Sequence, residues 1–564
     1  MIKKIIKKQY LLFFLLSVIL ILPSILPLFR SDFFRMHDWL HVSRLIELDV
    51  ALRDGQIPPR WAPDFGWGMG MPLLHFYAPL PYYFAEIFYF LGVSAVWSIK
   101  LVFMLNFFAG FYFMYLWTKQ FWGKIGGILA AVSFVYLPYR AVQFYVRGSL
   151  GELTAMTFLP LFFYSAHKLI NKKQIKFVFL TALSLAGIFI SHSPIALFSI
   201  FFLSLYFIWK LFFQIKLIKK KFIFPFKTFK SIITSAILAF GLSAFFILPA
   251  FFEKQYTVLA SSIGGGFFHY SFHFIYLRQL FNRRWAYGGS ILGIEDDISF
   301  QIGFPQVILA LFAGIVLFLA FKKKKKVIIS ELTYLATAFS LAVFLMTFHS
   351  KFIWDKLSII QITQFPWRLL TFVSTFTAFA SGAIVWLIKN KNLKKTIVGL
   401  LIILTIGLNY KFFNPKEYSS NQIFYFTDRE KIRTKTSDTL IDYLPIGSEK
   451  PKKPLDKDFA TTSSINDFYK KTGYFSFTSN SSEKTDFILN QYYFPGWQAT
   501  IDQQKVNIKP DKQLGRIQFQ LPSGEHQVKI KLGKTKLQYW SDIISLISWT
   551  SLIGFLLFRK VNKL

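Results

Sequence analysis

Long apolar runs separated by short basic stretches make up most of the chain. Those long enough to form a membrane-spanning helix of about 20 residues lie at about 10–29, 95–117, 125–140, 150–167, 175–191, 195–213, 231–250, 304–321, 328–348, 367–388, 396–411 and 540–558. The apolar piece "PLPYYFAEIFYFLG" at 79–92 is shorter and carries Glu86, so we expect an amphipathic helix in the membrane interface. The pattern predicts a polytopic α-helical membrane protein with about twelve transmembrane helices.

The lysines and arginines predict how these helices are oriented. If 79–92 does not cross, the basic loops all share the side of the N-terminus: 118–124, 167–176, 210–230, 322–326, 389–395 and the tail "RKVNKL". Lys and Arg are enriched in cytoplasmic loops. We therefore expect both termini to be cytoplasmic, with the first run retained as a signal anchor. The loops 30–94, 141–149, 251–303, 349–366 and 412–539 would share the outer face, where any site would form.

The block 412–539 is hydrophilic and has a different pattern. Its second half contains "TDFILNQYY", "WQATID", "RIQFQLP" and "QVKIKL", divided by the turns "PGW" and "SGEH". The alternation of apolar and polar residues is typical of half-buried antiparallel strands. We predict three parts: a transmembrane domain over 1–411, an outer β-sandwich over 412–539, and a terminal helix with a basic tail over 540–564.

Composition narrows the function classes. Hydrophobic residues make up 54% of the chain and the formal net charge is +36. The positive charge does not indicate a nucleic-acid partner, because no basic face carries the aromatic and polar residues that base readout needs. The chain has no cysteine, which excludes disulfides, thiolate metal sites and a thiol nucleophile.

The stretch "MHDWLHVSRLIELDVALRDGQIPPRW" at 36–61 is unusually acidic for a chain with 29 acidic residues in all. A helix over 38–53 would place Asp38 and His41 on its apolar stripe. A carboxylate that points inward just after a membrane span must be paired or functional. Asp38 is therefore the acid of this stretch for which we predict a function.

The other acids of the stretch fit an ordinary helix surface. Asp49 precedes Arg53 by four residues, the favourable order for a helix-stabilising ion pair. We expect Glu47, Asp49 and Asp54 to form the solvated face of an interfacial helix.

The following loop, 55–84, is rich in glycine, proline and aromatic residues. Its rings, among them Trp61 and Tyr77, are candidates for stacking on a sugar. An aromatic belt at the lipid headgroups explains some of them equally well, but it does not require the glycines, which are Gly55, Gly66, Gly68 and Gly70.

The chain resembles the GT-C glycosyltransferases in three features: an inward acid after the first span, a proline-rich loop, and spans joined by short basic turns. More closely, "HDWLHVSRL", "GQIPPRWAPDFGWGMGMPLLHFYAPLPYY", "RGSLGELTAMTFLPL", "QFPWRLL" and "YYFPGWQATID" with "LPSGEHQVKIK" resemble bacterial membrane proteins labelled 6-pyruvoyl-tetrahydropterin-synthase-related, or YfhO-like. The resemblance spans nearly the whole chain. The pterin label implies no activity here, since there is no zinc-ligand histidine trio.

The GT-C resemblance implies inverting transfer of a sugar from a polyprenyl-phosphate donor to a cell-envelope acceptor. A hydroxyl acceptor requires a carboxylate general base. Asp38 matches the superfamily acid by its position in the first outer loop, and His37 or His41 would orient it. No second acid stands beside Asp38, so no cofactor is predicted and a divalent cation is left open.

Two further positions complete the predicted site. Glu152 in "RGSLGE" begins an apolar run, so its charge needs a partner. If the partner is Arg147, the two form a structural ion pair. If the partner is an acceptor hydroxyl, Glu152 is catalytic. Arg368 in "QFPWRLL" begins a span, where a guanidinium can hold the leaving phosphate. Snorkelling of Arg368 to lipid headgroups is the alternative.

Weaker signals have simpler explanations. His269 and His273 have the i, i+4 spacing of a metal pair without a third ligand. Asp296 and Asp297 are typical of turn capping, and His192 of a packing residue at a span end.

Three function classes remain. The sequence favours an integral-membrane glycosyltransferase, because its polar groups gather at one face rather than along the spans. A transporter or flippase for lipid-linked saccharide would need ionisable groups within the spans, and a non-catalytic scaffold would bind envelope glycan through its β-domain.

Overall fold

The computed structural model describes residues 2–218, 221–262, 265–419, 425–453, 455 and 457–561. Its α-helices are α1 (Ile2–Ile25), α2 (His41–Arg53), α3 (Leu73–Phe76), α4 (Leu80–Phe90), α5 (Ala95–Val135), α6 (Pro138–Ala141), α7 (Leu150–Lys172), α8 (Ile175–Phe189), α9 (Ser193–Gln214), α10 (Phe226–Phe252), α11 (Leu259–Ser262), α12 (Phe304–Lys322), α13 (Lys326–Met346), α14 (Lys351–Lys356), α15 (Ser358–Gln361), α16 (Leu370–Ser381), α17 (Lys391–Asn409), α18 (Arg429–Lys435) and α19 (Lys536–Val561).

The apolar runs predicted from the sequence are helical. Within the described residues, nine helices are long and apolar enough to cross a membrane. The run at 95–117 and most of the run at 125–140 lie in α5, whose backbone leaves helical geometry at Gly123, and the second run continues past the end of α5 at Val135. The runs at 150–167 and 175–191 lie in α7 and α8, and 79–92 contains the short helix α4. The chain is therefore a multi-pass α-helical membrane protein, as predicted.

The strands are β1 (Phe33–Phe34), β2 (Lys216–Ile218), β3 (Lys221–Ile223), β4 (Tyr418–Ser419), β5 (Phe459–Ala460), β6 (Ser464–Lys471), β7 (Tyr474–Ser481), β8 (Thr485–Tyr492), β9 (Trp497–Ile501), β10 (Gln504–Val506), β11 (Lys509–Pro510), β12 (Arg516–Leu521) and β13 (Gly524–Leu532). Two antiparallel sheets form the C-terminal β domain, with strand orders β10-β9-β13-β7-β6 and β11-β12-β8-β5. The strands predicted from the sequence correspond to β8, β9, β12 and β13.

Aromatic rings fill the space between these two sheets. Phe477 of β7 stacks on Phe487 of β8 with ring centroids 4.6 Å apart, and Phe487 also meets Phe519 at 5.1 Å. Because β7 and β8 belong to different sheets, the contact between Phe477 and Phe487 joins the sheets face to face, whereas Phe519 lies on β12 in the same sheet as Phe487. The C-terminal β-sandwich predicted from the alternating pattern is confirmed.

The chain divides into two compact units. The first unit comprises Met1–Trp39, Lys100–Phe240 and Gly264–Phe424; the second comprises Leu40–Ile99, Gly241–Ile263 and Tyr425–Leu564. Each unit gathers three separate stretches of sequence, and the domain boundaries 1–411, 412–539 and 540–564 stay a prediction.

The acidic helix begins later than predicted. The helix α2 starts at His41, whereas residues 37 and 38 form a bend. The backbone N–H groups of His37 and Asp38 donate to the carbonyls of Val146 (3.0 Å) and Arg147 (2.9 Å). These bonds hold the two residues outside the helix, which begins at His41, so the prediction that Asp38 lies on the apolar stripe of a helix over 38–53 is wrong.

The same helix is also more buried than predicted. Glu47 is completely inaccessible and Asp49 nearly so, whereas we expected both on a solvated face. Asp49 does accept two hydrogen bonds from the Nε of Arg53, at 2.7 and 2.9 Å, which is the predicted i, i+4 pair. Asp54 is partly exposed and its carboxylate accepts a bond from the backbone N–H of Thr472 at 2.7 Å.

Candidate functional site

Glu152 is the centre of a buried polar cluster in the first unit. It lies in the first turn of α7 and is fully inaccessible. Its Oε1 accepts hydrogen bonds from Tyr139 (2.5 Å), Gln143 (3.2 Å) and Thr371 (3.1 Å). Its Oε2 accepts a bond of 2.6 Å from Nη1 of Arg147. This set of donors satisfies a carboxylate, so Glu152 is a structural anchor and is poorly placed to remove a proton from a substrate.

Arg147 follows a π-helical turn over Val142–Val146. Its guanidinium lies 4.5 Å from the ring centroid of Trp367, and its side chain is 10% exposed. Burial disfavours the charged guanidinium, but Glu152, Tyr139 and Asp38 outweigh it and raise the pKa of Arg147. Arg147 is therefore a permanent cation in contact with both Glu152 and an aromatic face.

Arg368 is the second cation of the cluster. It lies in the 3-10 turn Pro366–Leu369, and its Nε is 3.8 Å from Oε2 of Glu152. Its Nη1 donates to the carbonyl of Thr363 at 2.5 Å, and its guanidinium lies 4.7 Å from the ring centroid of Phe365. Like Arg147, it is 10% exposed at the side chain, so headgroup snorkelling does not describe its position.

Gly148 lets the loop of Asp38 approach this cluster. It has a φ of +62°, and a Cβ built there would lie 2.2 Å from Sδ of Met36. Any larger residue would displace Met36. This displacement would also disrupt the backbone hydrogen bonds that the next two residues, His37 and Asp38, make to Val146 and Arg147. The close approach of Met36 thus explains why a glycine occupies position 148, the first glycine of "RGSLGE". The sequence alone did not show this reason.

Asp38 and His37 lie at the more accessible edge of the cluster. Asp38 is partly exposed and His37 is exposed. Asp38 is among the charges that raise the pKa of Arg147, whereas Nε2 of His37 bonds the carbonyl of Tyr287 at 2.9 Å. The structure therefore places Asp38, Arg147, Glu152 and Arg368 in one cluster, and it joins His37 to another loop.

His192 completes the electrostatic surroundings. Its Nδ1 accepts a bond from the backbone N–H of Ile195 and caps α9. Burial, followed by the positive charge of Arg368, lowers the pKa of His192 to about 3. The imidazole is neutral at physiological pH, and its capping bond agrees with the packing role expected from the sequence.

Three predicted binding residues lie in the second unit and have partners there. Nδ1 of His41 is 2.7 Å from the hydroxyl of Tyr82, and Nε1 of Trp61 donates to Gln491 at 3.2 Å. The guanidinium of Arg44 lies 4.0 Å from the ring centroid of Tyr77. His41 and Trp61 are almost completely buried. These contacts describe packing within the second unit.

The glycine-rich loop also has a structural explanation. Gly70 has a φ of +67°, and a Cβ there would lie 2.2 Å from Nε1 of Trp61. The carbonyl of Met69 accepts a bond from the backbone N–H of Tyr492 at 2.9 Å. Close backbone approach accounts for this glycine without a sugar.

A second buried carboxylate cluster was missed by the sequence reasoning. Asp64 accepts hydrogen bonds from the Nε of Arg429 and from that of Arg433. The backbone N–H of Asp64 donates to Glu47 at 2.8 Å. Burial and the neighbouring Asp64 carboxylate raise the pKa of Glu47 well above its ordinary value. Arg429 and Arg433 are more than 360 positions from Asp64 in the sequence, so no local pattern could reveal these contacts.

The weaker histidine and aspartate signals have local partners. Nδ1 of His269 is 2.6 Å from Ser271, and Nδ1 of His273 is 2.7 Å from Ser290. Asp296 accepts a bond from the backbone N–H of Ile291 at 2.9 Å, as expected for a turn cap. In the part of the chain that the structure describes, no group of three or more His, Asp or Glu residues could hold a metal ion.

In chemical terms, the cluster holds two cations against one satisfied carboxylate. Arg147 and Arg368 carry two positive charges against the one negative charge of Glu152, and the partly exposed Asp38 beside Arg147 balances the second when it is ionised. Guanidinium groups bind phosphate oxygens through paired hydrogen bonds. The arrangement can bind an anionic group next to a carboxylate that is able to accept a proton.

Comparison with known sequences gives one partial likeness. An uncharacterized protein of Lactococcus lactis subsp. cremoris (strain MG1363) is 26% identical over 255 residues, which are 43% of this chain and 40% of that protein. The chain thus matches less than half the length of this relative. No family model matches the chain.

Comparison with solved structures gives distant likenesses in fold. The Archaeoglobus fulgidus oligosaccharyltransferase in the apo form is 13% identical, with a TM-score of 0.41 over 79% of this chain and 61% of that chain. The arabinofuranosyltransferase AftD from Mycobacteria is 15% identical, with a TM-score of 0.43 over 72% of this chain and 27% of that chain. A structure of the archaeal enzyme AglB with an inhibitory peptide and a dolichol-phosphate gives a TM-score of 0.40 at 13% identity.

Proposed function

We propose that this protein is a GT-C-type membrane glycosyltransferase that transfers a sugar from a polyprenyl-phosphate donor to a cell-envelope acceptor. The observation that supports it best is the pair of buried guanidinium groups of Arg147 and Arg368, which share Glu152 beside the partly exposed Asp38. The reaction takes place on the outer face of the bacterial cytoplasmic membrane, with both termini cytoplasmic and the β domain outside.

The leaving group accounts for the two cations. When the bond between the anomeric carbon and the phosphate oxygen breaks, both electrons stay with the phosphate, which gains negative charge. Arg147 and Arg368 stabilise that charge, because their positions are already fixed by Glu152, Trp367 and Phe365. The role of Glu152 is therefore to position Arg147 and Arg368.

The acceptor accounts for Asp38. An acceptor hydroxyl attacks the anomeric carbon from the face opposite the phosphate, which inverts the configuration. Asp38 takes the hydroxyl proton as general base. Its carboxylate is partly exposed, unlike that of Glu152, so a substrate can reach it.

Two other classes make different predictions. A flippase for lipid-linked saccharide needs ionisable groups along its spans; Lys210 and Glu331, which lie in spanning helices, are paired with each other at 2.6 Å. A glycan-binding scaffold needs no cluster around Glu152. The cluster therefore favours chemistry.

The test is transfer of radiolabelled sugar from undecaprenyl-phosphate donors to envelope acceptors by the purified full-length protein in detergent. Asp38→Asn removes the proton acceptor while keeping the size of the side chain, so we expect the transfer rate to fall by about 100-fold or more. Asp32→Asn, six residues earlier in the same loop, is the matched control and keeps the wild-type rate.

The outcomes separate the classes. Equal transfer by wild type and Asp38→Asn would contradict the general-base role. Absence of transfer with every donor would overturn the enzymatic proposal in favour of the transporter or the scaffold.

A further inference from the structure

The two arginines of the cluster rest on neighbouring aromatic rings of one short motif, "QFPWRLL". The guanidinium of Arg147 lies 4.5 Å from the ring of Trp367, and that of Arg368 lies 4.7 Å from the ring of Phe365. The two rings contact each other, with centroids 4.9 Å apart. The positions of these rings therefore influence the spacing between the two guanidinium groups.

A hydrogen-bonded chain from a separate loop fixes one of these rings. Nε1 of Trp367 donates to Oγ of Ser290 at 3.2 Å, and Oγ of Ser290 is 2.7 Å from Nδ1 of His273. Nε2 of His273 bonds the carbonyl of Phe267 at 2.6 Å. A carbonyl can only accept, so Nε2 carries the proton and Nδ1 accepts from the hydroxyl of Ser290.

His273 also touches the second ring. Its imidazole packs against Phe365 with centroids 4.6 Å apart. His273, Ser290 and Trp367 are all almost completely buried, so water does not compete for these bonds. Burial lowers the pKa of His273, a direction that agrees with the tautomer set by the hydrogen bonds.

From these contacts we infer that His273 and Ser290 are positioning residues for an anion site, in which the rings of Phe365 and Trp367 hold the two guanidinium groups in place for a phosphate ester. The inference rests on the proposed function in taking a phosphate as the ligand. It gives a role to His273 in the segment "HYSFH" at 269–273, whose two histidines have the spacing of a metal pair but no third ligand. Neither His273 nor Ser290 touches the phosphate; each acts through Phe365 or Trp367.

The experiment measures binding of citronellyl phosphate, a short polyprenyl phosphate, to the full-length protein in detergent. Ser290→Ala removes the bridge between Trp367 and His273, and we expect the dissociation constant to rise about tenfold. Ser290→Thr keeps the hydroxyl and should restore binding to within about threefold of wild type. Neutral citronellol is the ligand control and should bind all variants equally.

The same loop supplies a matched control. Ser271 makes a comparable bond to His269, at 2.6 Å, and no side-chain hydrogen bond described for that pair reaches Ser290 or Trp367. Ser271→Ala should therefore bind citronellyl phosphate like the wild type. Equal affinities for Ser290→Ala and wild type, or an equal loss in Ser271→Ala, would overturn the inference.

Binding and transfer together distinguish this inference from the proposed function. If citronellyl phosphate binds in a Ser290-dependent way but no sugar is transferred, the positioning role stands and the enzymatic proposal fails. If sugar is transferred and Ser290→Ala has the wild-type KM for the donor, the enzymatic proposal stands and the positioning role fails. In the supported case the donor KM rises and the acceptor KM does not change.

Discussion

Glu152 and Glu47 are both glutamates with no exposed surface, but their surroundings are opposite. Glu152 accepts hydrogen bonds from Tyr139, Gln143, Thr371 and Arg147. Glu47 lies against another carboxylate, Asp64, and has a pKa raised well above its ordinary value. One carboxyl group is surrounded by donors, whereas burial and a second carboxylate favour the protonated form of the other.

The difference shows that burial does not by itself identify a functional carboxylate. What matters is the set of donors and charges around it. One donor to Glu152 is the buried guanidinium of Arg147. The negative charge of Glu152 therefore compensates a buried positive charge in the first unit. In the second unit, Asp64 carries the charge that Arg429 and Arg433 neutralise, and Glu47 fills space beside it.

Glu152→Gln should have the largest effect. It leaves Arg147 and Arg368 without the carboxylate that they share, and removal of one partner of a buried ion pair costs about 3–5 kcal/mol. The loss is measured as a lower melting temperature in detergent. Glu295→Gln, an exposed acid paired with Arg284 on the surface, is the control and should melt like the wild type. An unchanged melting temperature for Glu152→Gln would show that the cluster does not need its anion.

Glu47→Gln should have a much smaller effect, although Glu47 is just as buried. If the acid is already neutral, an amide of the same size replaces it with a change in stability of about 1 kcal/mol or less. The measurement is the same melting experiment at neutral pH. A loss as large as that of Glu152→Gln would mean that Glu47 is ionised, and the comparison between the two glutamates would fail.

The fold was largely predictable from the sequence, and the site only in part. Apolar runs and alternating strands follow from local periodicity, so the helices and the strands β8, β9, β12 and β13 were predicted. Asp38, Arg147, Glu152 and Arg368 were found because charges next to apolar runs are unusual.

Local pattern misled where distant segments decide the environment. Glu47 was expected to be solvated, because the local pattern does not show its contact with Asp64, which α18 binds through Arg429 and Arg433. Asp38 was placed in a helix, because the sequence does not show that its backbone bonds to Arg147. The link between His273 and Trp367 depends on Ser290, a residue with no motif around it.

The smallest expected effect concerns a third acid, Glu86. Burial, followed by the charge of Asp49, raises the pKa of Glu86 from its ordinary value near 4.5 to about 8. Between these two pH values the folded protein binds more protons than the unfolded chain, so this group makes stability fall as pH rises through the window. Glu86 is partly exposed, and solvent screening keeps the effect small.

Glu86→Gln removes this contribution. The melting temperature of the variant should decline less than that of the wild type between pH 5 and about 8, and the two curves should run parallel above that range. Curves that are parallel throughout would show that Glu86 titrates normally and that the pair with Asp49 resembles an ordinary surface contact.

The central claim is that Arg147 and Arg368 together hold the phosphate of a lipid-linked donor. The most direct test is a cryo-electron microscopy structure of the full-length protein with a non-transferable polyprenyl-phosphate sugar. We predict that the phosphate oxygens lie about 2.7–2.9 Å from both guanidinium groups, with the acceptor-facing side of the anomeric carbon open towards Asp38. A phosphate bound away from Arg147 and Arg368 would contradict the account.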